Sequence, residues 1–288
     1  MSSDIRQLTP EQYPELLKEI NDPPKKLYVK GELPPDDMKY LCVVGSRKYT
    51  PYGKEVCKTL IEGLSGYPIV IVSGLAIGID SIAHESALEA GLKTIAVPGS
   101  GLSENVLHPK TNKLLAKRII ESGGTMLSEF EEGFKATHYS FPQRNRVMAG
   151  MSHAVLIIEA EEKSGTLITA RLALSYNRDI GAVPGAIDSR TSKGTHALIK
   201  DGAALIETPE DILELLDLTP SPKKDSTTFE NLSSFEKEIV DLLSNPKTQD
   251  ELLHDLSVQP HELSIQLSAL EIKGVIETRL GKIQTRTS

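Results

Sequence analysis

Between residues 40 and 206, short β-branched apolar runs alternate with stretches whose apolar residues recur every three or four positions. The runs at 41–44, 69–72, 94–97, 125–127, 155–158, 181–183 and 204–206 predict strands. They are apolar throughout rather than alternating, as strands buried on both faces are. Apolar periodicity over 81–90, 111–121 and 166–176 predicts helices between them. Such alternation builds an α/β fold, a mainly parallel sheet with helices on both faces. Ligands of such sheets sit beyond the carboxyl ends of the strands.

Small residues cluster at those ends. Gly45-Ser46-Arg47 follows the first strand, Ser73-Gly74 with Leu75 to Gly78 the second, and Pro98-Gly99-Ser100-Gly101 the third. Glu159 and then Ser164-Gly165-Thr166 follow the fifth, and Pro184-Gly185 the sixth. One glycine at a strand end is routine turn chemistry. Five such loops on one edge predict an extended site that a ligand backbone approaches closely.

The chain divides into four parts: a lead-in at 1–39, the α/β region at 40–218, a Pro-, Ser- and Thr-rich linker at 219–228, and a module at 229–288. The α/β region closes with a short helix at 210–218. In the module, periodicity predicts helices at 234–244, 248–256 and 260–273, then a hairpin over 275–284 turning at Gly281-Lys282. Three helices and a small hairpin read as a winged helix. There are no internal repeats.

Composition narrows the classes. Of 288 residues, 39% are hydrophobic and 25% charged, as in ordinary globular proteins. No apolar run nears the ~18 residues needed to span a bilayer, and the first twenty residues lack the form of a signal peptide. A membrane role is not expected. Cys42 and Cys57 have no metal-ligand spacing and imply no disulfide framework, so they read as half-buried core thiols in a reducing, cytoplasmic setting. The net charge of −8 argues against a nucleic-acid partner unless the cations are concentrated locally.

A Gly-rich turn opening a helix offers backbone N–H groups to an anion. The 74–78 loop before Asp80 and the Ser164-Gly165-Thr166 turn both have that form. Neither carries the dinucleotide fingerprint, so no cofactor is predicted. Tight turns alone would also account for each loop. In Phe141-Pro142-Gln143-Arg144-Asn145-Arg146, an aromatic lies beside two arginines and an amide at the start of a helix. Guanidinium forks suit phosphate, and an aromatic face stacks a base. With Arg47 this makes a basic, aromatic groove. Alternatively, Phe141 is core and the arginines pair with Glu129, Glu131 or Glu159. His84 lies one helical turn after Asp80, within hydrogen-bond reach, as a capped helix start would have it. No nucleophile elbow, metalloprotease motif or P-loop lysine occurs, so neither a catalytic nor a metal site is predicted.

These segments, in this order, resemble the DNA-processing protein A (Smf) family. The resemblance runs from about Tyr13 to Ile206. It is carried most specifically by Phe141-Pro142-Gln143-Arg144-Asn145-Arg146 and by Ser164-Gly165-Thr166-Leu167-Ile168-Thr169-Ala170. It implies an extended Rossmann-like fold with a C-terminal winged helix. It implies a homodimer that binds single-stranded DNA and loads a RecA-type recombinase onto incoming or SSB-coated strands, as in natural transformation. By position, the implied DNA contacts are Gly45, Ser46, Arg47, Ser73, Gly74, Phe141, Arg144, Asn145, Arg146, Ser164, Gly165 and Thr166. Arg47, Arg144 and Arg146 would take phosphates, and Phe141 a base. His108-Pro109 departs from the expected Tyr-Pro, and His196 stands where Asn is expected. The chain starts just before Tyr13, so the N-terminal helical domain of many members is expected to be absent.

The module at 229–288 carries six Lys and Arg against ten Asp and Glu. Phosphate neutralisation supplies most non-specific DNA affinity. The module is therefore expected to contact protein, or to regulate the groove, rather than grip DNA. The rival reading of the chain is an enzyme. Pro98 to Glu104 loosely resembles the motif of nucleotide phosphoribohydrolases, with Ser100 and Leu102 out of pattern. A module binding a small nucleotide in the same groove is a further alternative.

Overall fold

The computed structural model describes residues 4–35, 37–219, 232–243, 246–256, 258–273, 275–279 and 282–285. The linker at 219–228, save Thr219, and Gly281 of the expected hairpin turn lie outside these residues. Contacts divide the chain into two units, 1–220 and 221–288.

The first unit is built on a sheet of nine strands: β1 (Arg6–Gln7), β2 (Tyr28–Lys30), β3 (Lys39–Val44), β4 (Ile69–Ser73), β5 (Lys93–Ala96), β6 (Thr125–Ser128), β7 (Ala154–Ile157), β8 (Asp179–Ala182) and β9 (Ala204–Leu205). Their order is β1-β2-β6-β5-β4-β3-β7-β8-β9. All pairings from β6 to β9 are parallel. Its helices are α1 (Glu15–Lys18), α2 (Pro51–Glu62), α3 (Ile79–Glu89), α4 (Lys113–Glu121), α5 (Ser140–Met151), α6 (Thr166–Ser175), α7 (Lys193–Lys200) and α8 (Pro209–Leu215). The seven expected strands are all present. The lead-in adds two more: Tyr28, Val29 and Lys30 pair antiparallel with β6, and β1 pairs antiparallel with β2. Neither is a continuous apolar run, the signal that marked the other seven.

Side-chain alternation splits each central strand between two cores. Cys42, Val44, Val70, Val72, Val155 and Ile157 meet α1, α5 and α6 on one face. Leu41, Val43, Ile69, Ile71 and Leu156 meet α2, α3 and α8 on the other. The two cysteines are fully buried rather than half-buried, one in each core, and burial pushes both thiols well above their ordinary range. Among the described residues no helix is long and apolar enough to cross a membrane.

The second unit has α9 (Ser234–Leu242), α10 (Gln249–Leu256), α11 (Pro260–Ile272) and an antiparallel hairpin of β10 (Ile276–Arg279) and β11 (Lys282–Thr285). They enclose a core of Ile239, Leu252, Leu263, Leu270 and Ile283. Ser233 caps α9 by accepting the Glu236 N–H, and the Glu236 carboxylate accepts the Ser233 N–H, a reciprocal capping box.

Because β3 pairs on both sides and its Leu41 is wholly buried, Leu41→Ala is expected to destabilise the first unit by about 3 kcal/mol. Urea unfolding with an unchanged m-value checks this.

Candidate nucleic-acid interface

The chain runs outward from β3 through β4 and β5 to β6, then returns to the other side of β3 with β7. The topological switch point therefore lies between β3 and β7, and a crevice opens beyond their carboxyl ends. A groove of about 520 Å³ occupies that place. Its walls are Gly45 to Lys48 after β3, Ala76 and Asp80 before and in α3, Glu161 and Ser164 to Thr166 before and at the start of α6, and one face of α5.

Of the predicted site residues, Gly45, Ser46, Arg47, Phe141, Arg144, Asn145, Ser164, Gly165 and Thr166 line this groove. Arg47 is exposed, and its guanidinium carbon stands 5.4 Å from the Phe141 ring centroid, a cation–π arrangement. The Phe141 ring lies so close to Gly99 that a Cβ there would come within 2.7 Å of it. Phe141 is half-buried, so part of the ring remains open to a partner. Thr166 opens α6, and its hydroxyl donates to the Gly45 carbonyl at 3.1 Å, binding the two sides of the crevice together. The Ser164 hydroxyl accepts the Thr166 N–H at 3.2 Å. The positive end of the α6 dipole faces the groove.

Other predicted residues take different parts. Ser73 is fully buried and donates to the Val43 carbonyl at 2.7 Å. Gly74 lies behind the groove wall, where a Cβ would come within 2.0 Å of the Arg144 guanidinium. Arg144 itself is buried, and its Nη1 donates to the Gly74 and Val97 carbonyls while Nε donates to Asn145. Asp80 accepts the backbone N–H groups of Gly74 and Ala76, and its charge faces Arg144. Burial raises the Asp80 carboxyl and lowers the Arg144 guanidinium, and each charge opposes the other's shift. Arg146 faces away from the groove, bonded to the Glu129 carboxylate and the Asp22 carbonyl. It thus takes the ion-pair alternative that the sequence left open. Gln143 and the Tyr176–Asp22 bond complete that cluster, and burial raises the Glu129 carboxyl.

Lys48, exposed and directly after Arg47, is a lining cation that sequence reasoning missed. Its only signal was that position. Glu159 was expected beside the site, and it holds the loop after β3 in place. Its carboxylate accepts the Thr50 N–H and hydroxyl at 2.9 and 2.6 Å and the Thr191 hydroxyl at 2.9 Å. His84 bonds Thr94, not Asp80. The Thr94 hydroxyl donates to the Ile71 carbonyl, so it accepts from Nδ1 at 2.7 Å. Burial lowers its pKa to about 3. His196 places Nε2 against the backbone of Gly185, clear of the groove lining. Among the described residues no cluster of His, Cys, Asp and Glu could hold a metal.

The open, mostly parallel sheet and its groove at the switch point define a Rossmann-like α/β protein with a site suited to an extended anion. The chain belongs to the DNA recombination-mediator protein A family, whose model matches residues 5–217. It is 44% identical to Protein Smf of Escherichia coli over 206 residues, which are 72% of this chain and 54% of that protein. It is 43% identical to the DNA processing protein DprA of Streptococcus pneumoniae over 203 residues, 70% of each chain. The crystal structure of the pneumococcal protein superposes with a TM-score of 0.69, at 38% identity and 75% coverage of each chain. A structure of Helicobacter pylori DNA processing protein A, described for its single-stranded DNA binding mode, superposes at 0.67 with 32% identity, covering 76% of this chain and 99% of that one. The chain spans about half the length of the Escherichia coli relative.

Two outcomes test this geometry. Arg144→Met leaves the Gly74 and Val97 carbonyls without their donor and Asp80 without its facing cation, and is expected to cost roughly 3 kcal/mol by urea unfolding. For His84, the unfolded imidazole takes a proton near pH 6.5, whereas the folded one stays neutral down to about 3. The unfolded state thus binds more protons in that window, and stability falls as pH drops through it. The raised carboxyls of Asp80 and Glu129 act in the opposite sense, in wild type and variant alike. His84→Gln is expected to shrink the fall in urea midpoint between pH 7.5 and 5, and an unchanged fall would refute a neutral buried His84.

Proposed function

We propose that this chain binds single-stranded DNA in the groove between the β3 and β7 ends and serves homologous recombination by loading a RecA-type recombinase. The observation that carries the reading is the pairing of exposed Arg47 with the half-buried Phe141 ring on the wall of that groove. Arg47 and Lys48 supply phosphate charge, the start of α6 supplies the positive end of its dipole, and Phe141 supplies a stacking face. Arg144 organises the wall instead of meeting phosphate, and Arg146 anchors α5. Family membership and the described DNA binding of the Helicobacter pylori relative support the reading. The relatives named for DNA processing support a role in handling DNA, which the proposal places in natural transformation.

The active form is a cytoplasmic homodimer acting on free or SSB-coated strands. The second unit is a winged helix that contacts protein and leaves DNA to the groove. Lys273, the one Lys or Arg of its 260–274 segment, is engaged by Glu236 at 2.6 Å.

Fluorescence anisotropy with labelled oligo-dT and with duplex DNA, at two salt concentrations, tests the reading. Salt-sensitive binding that prefers the single strand is expected. Arg47→Ala should reduce the slope of log affinity against log salt by about one, and Phe141→Ala should weaken binding by ~1–3 kcal/mol for a stacked base. Absence of binding at low salt contradicts the proposal. Release of free base from a nucleoside monophosphate would establish the nucleotide-hydrolysing alternative.

A further inference from the structure

Phe141 has a second ring neighbour outside the groove lining. The imidazole of His108 lies 5.6 Å from it, centroid to centroid, at a tilt of 54°. His108 is exposed, and its ring nitrogens make no hydrogen bond among the described residues. The ring is nevertheless held in place through its backbone. The His108 N–H donates to the Ser100 hydroxyl at 3.3 Å, and Ser100 is fully buried, its carbonyl accepting the Ser128 hydroxyl at 2.8 Å. Four residues on, Asn112 donates to the Leu75 carbonyl and the Ser81 hydroxyl, each at 2.8 Å. The segment 108–112 is thus tied at one end to the loop after β5 and at the other to the loop after β4. Lys110 and Lys113 flank its far end, and among the described residues neither enters an ion pair.

An exposed ring that serves no core and no hydrogen bond, fixed beside a stacking phenylalanine and followed by two unpaired cations, has the makeup of a single-strand track. Its fixed backbone lowers the ordering cost of binding. We propose that the strand held in the groove continues past Phe141, that His108 stacks a further base, and that Lys110 and Lys113 take the phosphates beyond it. The inference deepens the proposed function and rests on it. It makes His108 a specificity-determining contact for unstacked strands, because the bases of a duplex have no free face to offer it.

The test uses the full chain and labelled oligo-dT strands of increasing length. His108→Ala is expected to weaken binding of long strands roughly tenfold without changing the salt slope, since stacking releases no counterions. The shortest strands that bind, which fill only the groove, should be unaffected. His108→Phe should restore the affinity, and Lys110→Ala and Lys113→Ala should each lower the salt slope by about one on long strands only. Melting temperatures of the variants separate lost contacts from lost folding, and His108→Phe preserves a ring in either case. Wild-type affinity for long strands in His108→Ala, or failure of a folded His108→Phe to restore it, overturns the inference and leaves the groove reading standing. Failure of the wild-type chain to bind any single strand overturns both.

Discussion

The Arg144 guanidinium is withdrawn from water and held by the carbonyls of Gly74 and Val97, at the ends of two adjacent strands, with Asp80 facing it. A buried cation is tolerated only where its donors are met and a counter-charge is near. Here that requirement joins β4, β5, α3 and α5 at one point. It fixes the register of α5 on the sheet edge, and α5 in turn carries Phe141 to the place where Arg47 and His108 meet its ring. In sequence the residue reads like a ligand contact, but in the fold its hydrogen bonds go to the groove wall itself.

The same geometry reconciles an acidic chain with the anionic partner proposed for it. The net charge of −8 is spread over the whole sequence, whereas the exposed cations Arg47 and Lys48 share one turn beside the start of α6. Over a Debye length of about 8 Å at physiological salt, a partner in the groove feels the local field far more than the total. Arg178 and Arg146 do not contribute, since each is engaged by a carboxylate.

Much of the fold was legible because the central strands are buried on both faces and so read as continuous apolar runs. Strands β1 (Arg6–Gln7) and β2 (Tyr28–Lys30) were not, since neither is a continuous apolar run. The groove was legible as loops, because glycines and hydroxyl residues gather where backbones approach closely. The direction of each arginine was harder to read. On a helix, positions 141, 145 and 148 share a face while 146 turns away, so Arg146 could not line a groove walled by Phe141. Whether Arg144 points to solvent or into the wall depends on Gly74 and Val97, which are far off in sequence and met only by folding. The partner of His84 was hidden for the same reason, as Thr94 sits on a neighbouring strand rather than the same helix.

Hydrogen–deuterium exchange of the full chain, with and without oligo-dT, tests the central claim most directly. The account predicts slowed exchange at 45–48, 141–145 and 164–166, with little change over 232–285. Protection confined to the second unit, or spread over the first without these three segments, would contradict it.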